Sequence, residues 1–366
     1  MIVVGGGIVG TMHALFALRR GLEVLHLERD PVPRSASVRN FGLIWVSGRA
    51  AGPELDAALR ARELWEEIGR DVAGIGFRRN GSLTIALEPE ECDALQDAAR
   101  FVDADRRGFT FLEPDEIRKR APAIEGKVLG GLHCSLDAAV EPRLAVHAIR
   151  EHLIARPGYT FAPGTNVTEA GPGWVRDVRG TRHEADVVLV CPGAVDDLLG
   201  SDVLKDAPLR RCRLQMMETA DLGAELPFAL ADGDSLRYYP AFRDVAGRLR
   251  PPPQIVSDWG MQLLCVQRLH GGLTIGDTHS YEEPFDFALD PAPYVHLQER
   301  AERILGRRLP AISRKWHGVY SVPTDDRMVF REAIDEGVWL VTGLGGRGMT
   351  LSPAVAEATI AEALGR

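Results

Sequence analysis

Residues 1–30 read MIVVGGGIVGTMHALFALRRGLEVLHLERD, and they hold the strongest structural signal in the chain. The apolar, β-branched run at 2–4 predicts a buried strand. An amphipathic helix is expected over 11–20, and a second strand over 22–27 that leads into Glu28. The glycines that follow the first strand are Gly5, Gly7 and Gly10.

The spacing of these glycines, G-x-G-x-x-G, is typical of a turn that binds a dinucleotide. The first glycine allows the tight turn, the second lets the backbone approach a pyrophosphate, and the third lets helix and strand pack closely. The helix start offers free amides to phosphates, and Glu28 is placed to accept hydrogen bonds from an adenosine ribose. The alternative is a glycine-rich turn that binds no ligand. The glycines are, however, preceded by a strand and followed by a helix, a second strand and an acidic residue, and this order favours a dinucleotide site.

The composition excludes several classes of protein. Hydrophobic residues make up 45% and charged residues 26% of the 366, as in soluble globular proteins, and this length predicts two domains. The net charge of −9 argues against nucleic acid as a partner, although a local pocket can still be positive. The five cysteines are scattered without a C-x-x-C pair, so we expect reduced thiols and no metal site.

The sequence also predicts the cellular compartment of the protein. No stretch approaches the roughly 18 consecutive apolar residues of a membrane span, and the first strand begins at Met1, which leaves no room for a signal peptide. We therefore expect a cytoplasmic protein without a membrane partner. The oligomeric state stays open.

A second glycine cluster lies near the other end of the chain, in VWLVTGLGGRGMTLSPAVAE. An apolar strand at 338–341 leads into this cluster, and a helix is expected to start near Ser352 and Pro353. Its glycines are Gly343, Gly345, Gly346 and Gly348. Glycines allow close backbone approach to a flat ligand. Two such sites at opposite ends of the chain suit FAD, with adenosine on the first and flavin on the last, whereas a nicotinamide enzyme does not need the second.

Between the two clusters, the patterns alternate between two kinds of sheet. A hairpin is expected around Asn80 and Gly81, a buried parallel strand over 187–190, and an antiparallel meander over 209–316. The fold class predicted is therefore α/β, a Rossmann-like FAD-binding domain interrupted by an α+β substrate domain with a mainly antiparallel sheet. We expect the FAD-binding domain to comprise 1–78, 141–208 and 317–366, and the substrate domain 79–140 and 209–316.

The chain resembles the D-amino-acid oxidase superfamily of flavoproteins, in the branch of glycine and sarcosine oxidases. The resemblance covers nearly the whole chain and rests on VVGGGIVG, DAAVEP, ADVVLVCPGA, HGVYSVPTDD and TGLGGRGMTLSP. Within that branch, SASVRNFGLIW, PLRRCRLQMM, LRYYPAF, LTIGDTHSY and WHGVYSVP resemble a narrower group that is linked to aminophosphonate breakdown.

The resemblance implies which residues contact FAD. The loop after the second strand reaches the phosphates and the flavin, the backbone near Val167 meets the adenine, and the returning strand ends at the cofactor. Together with the glycine turns, the expected FAD-binding residues are Gly5, Gly7, Ile8, Val9, Gly10, Glu28, Arg29, Ser37, Arg39, Asn40, Phe41, Gly42, Val167, Cys191, Gly193, Gly343, Gly345, Gly346, Arg347, Gly348, Met349 and Thr350.

Three positions differ from the pattern of the relatives. Sarcosine oxidases attach the flavin to a cysteine where this chain has Gly318, so we expect non-covalent FAD. Glycine oxidases bind the substrate carboxylate with an arginine where Tyr320 stands, and sarcosine oxidases use a lysine where Thr350 stands. Both carboxylate clamps are therefore missing, which argues against an ordinary α-amino-acid substrate.

The candidate catalytic residues are Tyr320, His279, Arg347, Arg49 and Tyr239. Tyr320 is expected in the substrate pocket because of its motif position. Arg347 and Arg49 are candidates to bind an anion, although either can be an ordinary surface arginine. His279 is either an active-site histidine or a strand histidine held by hydrogen bonds, and one of Tyr238 and Tyr239 is expected to line the pocket while the other packs in the core.

The resemblance implies an amine oxidase that passes a hydride to flavin and electrons to dioxygen. The leading hypothesis is oxidation of 2-aminoethylphosphonate or its N-methyl derivative to phosphonoacetaldehyde, an amine and hydrogen peroxide. The alternatives are an oxidase of glycine, sarcosine or another N-methyl amino acid, and an FAD amine dehydrogenase that uses another electron acceptor. A small amine and dioxygen are thus the expected partners.

Overall fold

A computed structural model describes residues 1–194, 204–205 and 207–365. The strands are β1 (Ile2–Val4), β2 (Val24–Glu28), β3 (Leu43–Ile44), β4 (Ser82–Ala86), β5 (Phe109–Leu112), β6 (Gly130–Cys134), β7 (Ala138–Ala139), β8 (Tyr159–Pro163), β9 (Val167–Gly171), β10 (Trp174–Asp177), β11 (Arg182–Glu184), β12 (Val188–Val190), β13 (Leu209–Asp221), β14 (Ala229–Ala231), β15 (Leu264–Gln267), β16 (Gly272–Gly276), β17 (Ile312–Pro323), β18 (Phe330–Asp335) and β19 (Val338–Thr342).

The α-helices alternate with these strands along the chain. They are α1 (Ile8–Arg19), α2 (Pro53–Asp71), α3 (Pro89–Ala98), α4 (Ala104–Arg107), α5 (Pro114–Arg120), α6 (Pro142–Ile154), α7 (Asp234–Tyr238), α8 (Arg243–Ala246), α9 (Gln254–Trp259), α10 (Pro291–Leu305) and α11 (Gly348–Ala363). Short 3₁₀ turns lie at Ala36–Val38, Pro240–Phe242 and Gly345–Arg347.

The first sheet has six strands in the order β18-β19-β12-β1-β2-β8, and all of its pairs except β18 with β19 are parallel. The central strands β1 and β12 are fully apolar, as the run at 187–190 predicts, because helices cover one face of the sheet and residues of β9, β10 and β18 pack on the other. The N-terminal and C-terminal glycine clusters follow β1 and β19, which both pair with β12. They therefore meet at the carboxyl edge of one sheet.

Four helices, α1, α2, α6 and α11, share the core that covers this sheet. Trp65 of α2 is fully buried there, and its indole Nε1 donates to the Met349 carbonyl at 2.8 Å. That carbonyl belongs to the residue four positions before Pro353, and Pro353 has no backbone N–H to donate to it. The tryptophan therefore satisfies an acceptor that the proline leaves open.

The second sheet has eight strands in the order β17-β13-β16-β15-β14-β4-β6-β5, and its pairs are antiparallel except β14 with β4. The long pair β13 and β17 leads from this sheet toward the first one. Helix α10 packs against β13 and β16, and the core beneath it is apolar. The mixed α/β architecture with one parallel and one mainly antiparallel sheet confirms the predicted fold class.

Two local predictions were wrong. The chain around Asn80 and Gly81 does not form a hairpin: β4 pairs with β6 and β14, and Arg78 makes an isolated bridge to Ala139. The Gly81 amide donates to Asp137 O at 3.0 Å, so the turn is held by a distant segment. The last helix begins at Gly348 and not near Ser352, because the glycine cluster itself starts to wind into a helix.

The domain division stays a prediction. The strands of 79–140 and 209–316 lie mostly in the second sheet, whereas β3 and β7 pair with each other across the proposed boundary at residue 78. Residues 195–203 and 206, which fall in the expected segment 141–208, lie outside the described residues.

Candidate active site

The turn after β1 has room only for glycine at two positions. Gly5 has φ of +104°, and a Cβ there would lie 2.2 Å from Cys191 O. A Cβ on Gly10 would lie 1.9 Å from Gly5 O, because α1 packs directly against the turn. These contacts are the close helix–strand approach that the glycine spacing predicts.

The N-terminus of α1 faces the cleft with amides that the helix does not use. The first helical bond runs from Thr11 N to Gly7 O at 2.9 Å, and Ile8 N donates to Ser37 Oγ at 2.9 Å. The amides of Val9 and Gly10 lie in the first turn of the helix and have no acceptor carbonyl within it. They are the groups that would bind a pyrophosphate, with the helix dipole behind them.

Glu28 lies where an adenosine ribose would be bound. Its carboxylate accepts from the amides of Gly6 and, at 2.7 Å, of Asp30, which fixes its orientation at the end of β2. A cavity of about 150 Å³ beside it is also lined by Arg29 and Val167. Arg150 of α6 supports the turn from behind, since its Nη2 donates to Gly6 O at 2.7 Å.

A larger cleft of about 300 Å³ continues from Gly7 and Ser37 to the C-terminal glycine cluster. Every FAD-binding residue expected from the sequence, except Gly42, lines this cleft or the smaller cavity. Gly42 has φ of +67°, and a Cβ on it would lie 2.1 Å from Val140 O. Its close backbone contact is therefore with the neighbouring loop.

The loop after β2 is held by its own side chains. Asn40 Nδ2 donates to Ala36 O at 2.8 Å, and Asn40 Oδ1 accepts from Gly42 N at 2.7 Å. Arg39 Nη1 donates to His317 O at 3.0 Å and so connects this loop to β17. These contacts explain how a loop with little secondary structure becomes one wall of the cleft.

The C-terminal glycines form the opposite wall. Gly345 and Gly346 lie against the ring of Tyr320: a Cβ on Gly346 would lie 3.6 Å from the Tyr320 hydroxyl. Thr350 lines the cleft but its hydroxyl is used locally, since it accepts from Trp45 N at 2.9 Å and donates to Leu43 O at 3.3 Å. Thr350 thus joins α11 to β3.

Arg49 and Arg347 meet at one end of the cleft. Their Nη1 atoms lie 3.5 Å and 3.4 Å from the same carboxylate oxygen, Glu54 Oε1. Arg49 is 5% exposed, and its Nε also donates to Trp45 O at 2.8 Å. Burial lowers the pKa of Arg347, but a guanidinium stays charged in a protein. Two cations and one carboxylate leave this end with a net positive charge.

Tyr239 lies beneath this cluster. The Arg49 guanidinium carbon is 5.8 Å from the centre of its ring, and the ring of Trp45 packs against it at 5.8 Å between ring centres. The Tyr239 hydroxyl accepts from Gln262 Nε2 at 3.3 Å, and burial raises the pKa of this tyrosine. Trp45 Nε1, which also lines the cleft, has no hydrogen-bond partner among the described residues.

A second polar group consists of His279 and Asp277. His279 Nδ1 lies 2.7 Å from Gly260 O, and its Nε2 lies 3.8 Å from Asp277 Oδ2. Tyr238 stacks on His279 with 4.4 Å between ring centres. Asp277 is 6% exposed, and this burial raises the pKa of its carboxyl. His279 is thus fixed by a backbone contact and also lines the cleft.

The cysteines near the cleft are buried thiols. Burial raises the pKa of Cys191 to about 12 and that of Cys212 to about 11, so both are protonated near neutral pH. Cys212 pairs with Tyr320 across β13 and β17. Gly318 also lines the cleft. The resemblance implies that this is the position at which sarcosine oxidases have the cysteine that bonds to the flavin.

Sequence reasoning missed Glu54, Asp277 and Gln262. Glu54 lies in the first turn of α2, where an acidic residue is ordinary. Asp277 is part of IGDTHSY, but an aspartate after a glycine is also common in turns. No pattern in the sequence marks Gln262, and only the fold brings it to Tyr239.

The residues present fit FAD. The orphan amides at α1, the fixed Glu28 and the glycine wall form one continuous channel from an adenosine end to a flavin end. Within the described residues, no group of three or more His, Cys, Asp or Glu side chains is placed to hold a metal ion. No helix among them is long and apolar enough to cross a membrane.

Known proteins share this fold. The structure is similar to that of glycine oxidase from Bacillus cereus ATCC 14579, with a TM-score of 0.80 and 18% identity over 100% of this chain and 94% of that one. Iminodiacetate oxidase from Chelativorans sp. BNC1 is similar with a TM-score of 0.78 and 16% identity, over 100% of this chain and 95% of that one. Likeness at these identities shows the fold.

Among curated relatives, the chain is 27% identical over 241 residues to one of the opine oxidase subunits from Rhizobium meliloti. The match covers 62% of this chain and 65% of that protein, just under two thirds of its length. The model of the DAO family, described as FAD dependent oxidoreductase, matches residues 1–362. The chain therefore belongs to the DAO family of FAD-dependent oxidoreductases, and FAD is its cofactor.

Proposed function

We propose that this protein is an FAD-dependent amine oxidase whose substrate is a small aminophosphonate, 2-aminoethylphosphonate or its N-methyl derivative. The observation that supports it is the pair Arg49 and Arg347, which converge on Glu54 at one end of the cleft. The resemblance to glycine and sarcosine oxidases implies that Tyr320 and Thr350 stand where those relatives bind a carboxylate. We therefore propose that the anion binds through a different set of cations.

The chemistry of the arginine pair suits a phosphonate. A phosphonate has three acceptor oxygens and up to two negative charges, so it can accept from two guanidinium groups at once. Nη2 of Arg49 and Nη2 of Arg347 have no hydrogen-bond partner among the described residues. These two donors are available to a ligand without breaking an existing contact.

Asp277 is the group that would accept the proton of the substrate's ammonium group. An amine must be neutral when its carbon is oxidised, and amines bind from water mainly as ammonium ions. Asp277 lies in the same cleft as the arginine pair, with His279 Nε2 at 3.8 Å and Gln262 Nε2 at 3.5 Å from its oxygens. Its raised pKa makes it a better proton acceptor than an exposed aspartate.

When bound, FAD supplies the two-electron acceptor for the carbon next to nitrogen. The chain orients the substrate between the arginine pair and Asp277, and the aromatic rings of Tyr238, Tyr239 and Tyr320 keep the cleft apolar around it. Hydrolysis of the imine product then gives phosphonoacetaldehyde and ammonia or methylamine. We propose that FAD is held without a covalent bond, because Gly318 has no side chain to bond to it.

A second candidate is oxidation of an N-substituted amino acid. The observation that favours it is the similarity to the opine oxidase protein of Rhizobium meliloti and, in fold, to iminodiacetate oxidase. The same arginine pair can bind a carboxylate, so the two candidates differ in the anion and share the amine chemistry. A dehydrogenase that uses another electron acceptor is a variant of either.

Anaerobic reduction of the yellow holoenzyme separates these candidates. Loss of the flavin absorbance is followed with 2-aminoethylphosphonate, its N-methyl form, glycine, sarcosine and iminodiacetate. We expect the phosphonates to bleach the flavin fastest. Faster bleaching by a carboxylate compound would overturn the phosphonate proposal, and absence of bleaching by any amine would overturn the amine oxidase proposal itself.

The electron acceptor needs a separate measurement. In air-saturated buffer we expect one hydrogen peroxide per aldehyde formed, as an oxidase requires. A peroxide yield far below the aldehyde yield, together with faster turnover in the presence of an artificial dye acceptor, would show a dehydrogenase.

A further inference from the structure

A second cavity lies outside the cleft, and we infer that it binds a small organic anion with a planar apolar part, of the kind that a nucleoside monophosphate represents. This basic cavity has a volume of about 950 Å³. Its cationic lining residues are Arg34, Arg39, Arg143 and Lys315, and its main aromatic ones are Trp316 and Phe287. This inference does not depend on the substrate proposed above.

The basic cavity is unusual in its charge. The protein has a net charge of −9, yet no Asp or Glu side chain is among the described residues that line this cavity. His147 and His317 add two further nitrogen donors. A cavity with one sign of charge concentrates ligands of the opposite sign. Its volume is also within the range of small-molecule sites, roughly 300–1,000 Å³.

The cations of the basic cavity are weakly neutralised. Arg34 lies 3.6 Å from Asp30, and Arg143 lies 3.8 Å from Glu218, both beyond ordinary hydrogen-bond distance. Glu218 is shared, since Arg314 at 3.1 Å and His270 at 3.5 Å also face it. Arg143 therefore keeps donors for an anion.

The apolar part of the cavity favours an organic anion over a bare inorganic ion. Phe287 is 96% exposed, so a ligand that covers its ring would remove apolar surface from water. Val32, Val38 and Leu289 extend the same apolar wall, and the Arg143 guanidinium lies 4.9 Å from the Trp316 ring centre. A ligand with a flat ring would cover these apolar groups while its anionic group meets the cations.

The basic cavity adjoins the cleft through one shared residue, Arg39. Arg39 lines both, and its Nη1 is fixed by His317 O at 3.0 Å. Gly318, the next residue on β17, lines the cleft. A ligand in the basic cavity would thus contact the same arginine that forms part of the wall around the cofactor.

Calorimetric titration of the FAD-loaded protein with AMP tests the inference, because bound FAD already fills the adenosine cavity. Adenosine and inorganic phosphate, the two parts of AMP, are titrated separately as controls. We expect AMP to bind with a Kd of about 0.1 mM or lower and each half to bind at least about tenfold more weakly. Arg143→Gln and Lys315→Gln should each weaken AMP binding roughly tenfold.

Arg100→Gln is the matched control, because Arg100 is an exposed arginine that does not line the basic cavity. It should leave AMP binding unchanged. The inference is overturned if AMP does not bind, if phosphate or adenosine alone binds as tightly as AMP, or if Arg143→Gln and Lys315→Gln leave its affinity at the level of Arg100→Gln.

Discussion

Arg49 and Arg347 come from opposite ends of the chain, yet their Nη1 atoms lie 3.5 Å and 3.4 Å from one atom, Glu54 Oε1. A single carboxylate thereby pairs with two guanidinium groups, and both arginines line the cleft. Arg49 is fixed further by Trp45 O, whereas Arg347 makes its other contact to Leu344 O at 3.3 Å. The two arginines thus differ in how much structure depends on them.

Arg347→Gln should weaken anion binding with little loss of stability. We expect KM for the anionic substrate to rise roughly 10- to 100-fold, in line with about 1.5–3 kcal/mol for a hydrogen bond to a charged group. Arg347→Lys, which keeps the charge, should recover part of this. Steady-state kinetics and the melting temperature are measured together. Arg327→Gln, at an exposed arginine paired with Asp325 and Glu332, is the control; an equal rise in KM there would contradict the assignment.

Arg49→Gln should affect both binding and stability. The substitution leaves Glu54 with one partner fewer and Trp45 O without its donor in a buried site. We expect a loss of about 1–3 kcal/mol in the free energy of unfolding, in addition to a higher KM. Denaturant unfolding of the holoenzyme checks this. A variant as stable as the wild type would show that the Arg49 contacts are not structural.

Asp277→Asn should lower kcat/KM by at least about 100-fold if the carboxylate receives the amine proton. Its effect on stability has a definite sign. The folded-state pKa of Asp277 is raised by burial, so its stabilising contribution is present at low pH and is lost as pH rises through that pKa. The variant should therefore be at least as stable as the wild type at pH 8, and this advantage should disappear toward pH 3.

Melting curves from pH 3 to 8 measure this difference. An Asp277→Asn protein that is less stable than the wild type at pH 8 would show that the charged carboxylate is stabilised by its neighbours. A kcat/KM that keeps the wild-type pH profile would remove Asp277 from the proton step.

Gly10→Ala should prevent FAD binding, because its Cβ would lie 1.9 Å from Gly5 O and the helix cannot move away without opening the turn. We expect a loss of about 3 kcal/mol in stability and little flavin in the purified protein. Gly247→Ala is the control, since a Cβ there meets nothing within 4 Å. Flavin content and melting temperature are the readouts, and a fully yellow Gly10→Ala protein would contradict the packing argument.

The short-range patterns were sufficient for much of the fold. Apolar runs and glycine spacing predicted the positions of β1, α1 and β2 within a few residues, because those elements follow from local burial and backbone freedom. The amphipathic character expected of α1 was wrong, since this helix is buried on nearly all sides. The same reasoning failed at Asn80 and Gly81, where turn residues are present but Asp137 and β6 provide the partners. It also misplaced the start of α11, since Pro353 is accommodated by a hydrogen bond from Trp65, far away in sequence.

By itself, the sequence determined that two glycine turns end two parallel strands, and hence that a dinucleotide is held at one sheet edge. Backbone freedom and helix amides are local properties, so sequence spacing is enough to specify them. Only the tertiary structure decided that Glu54 stands between Arg49 and Arg347, and that Asp277 meets His279 in the same cleft. Those side chains interact through space across separate elements, and their charge balance depends on burial that no local pattern encodes.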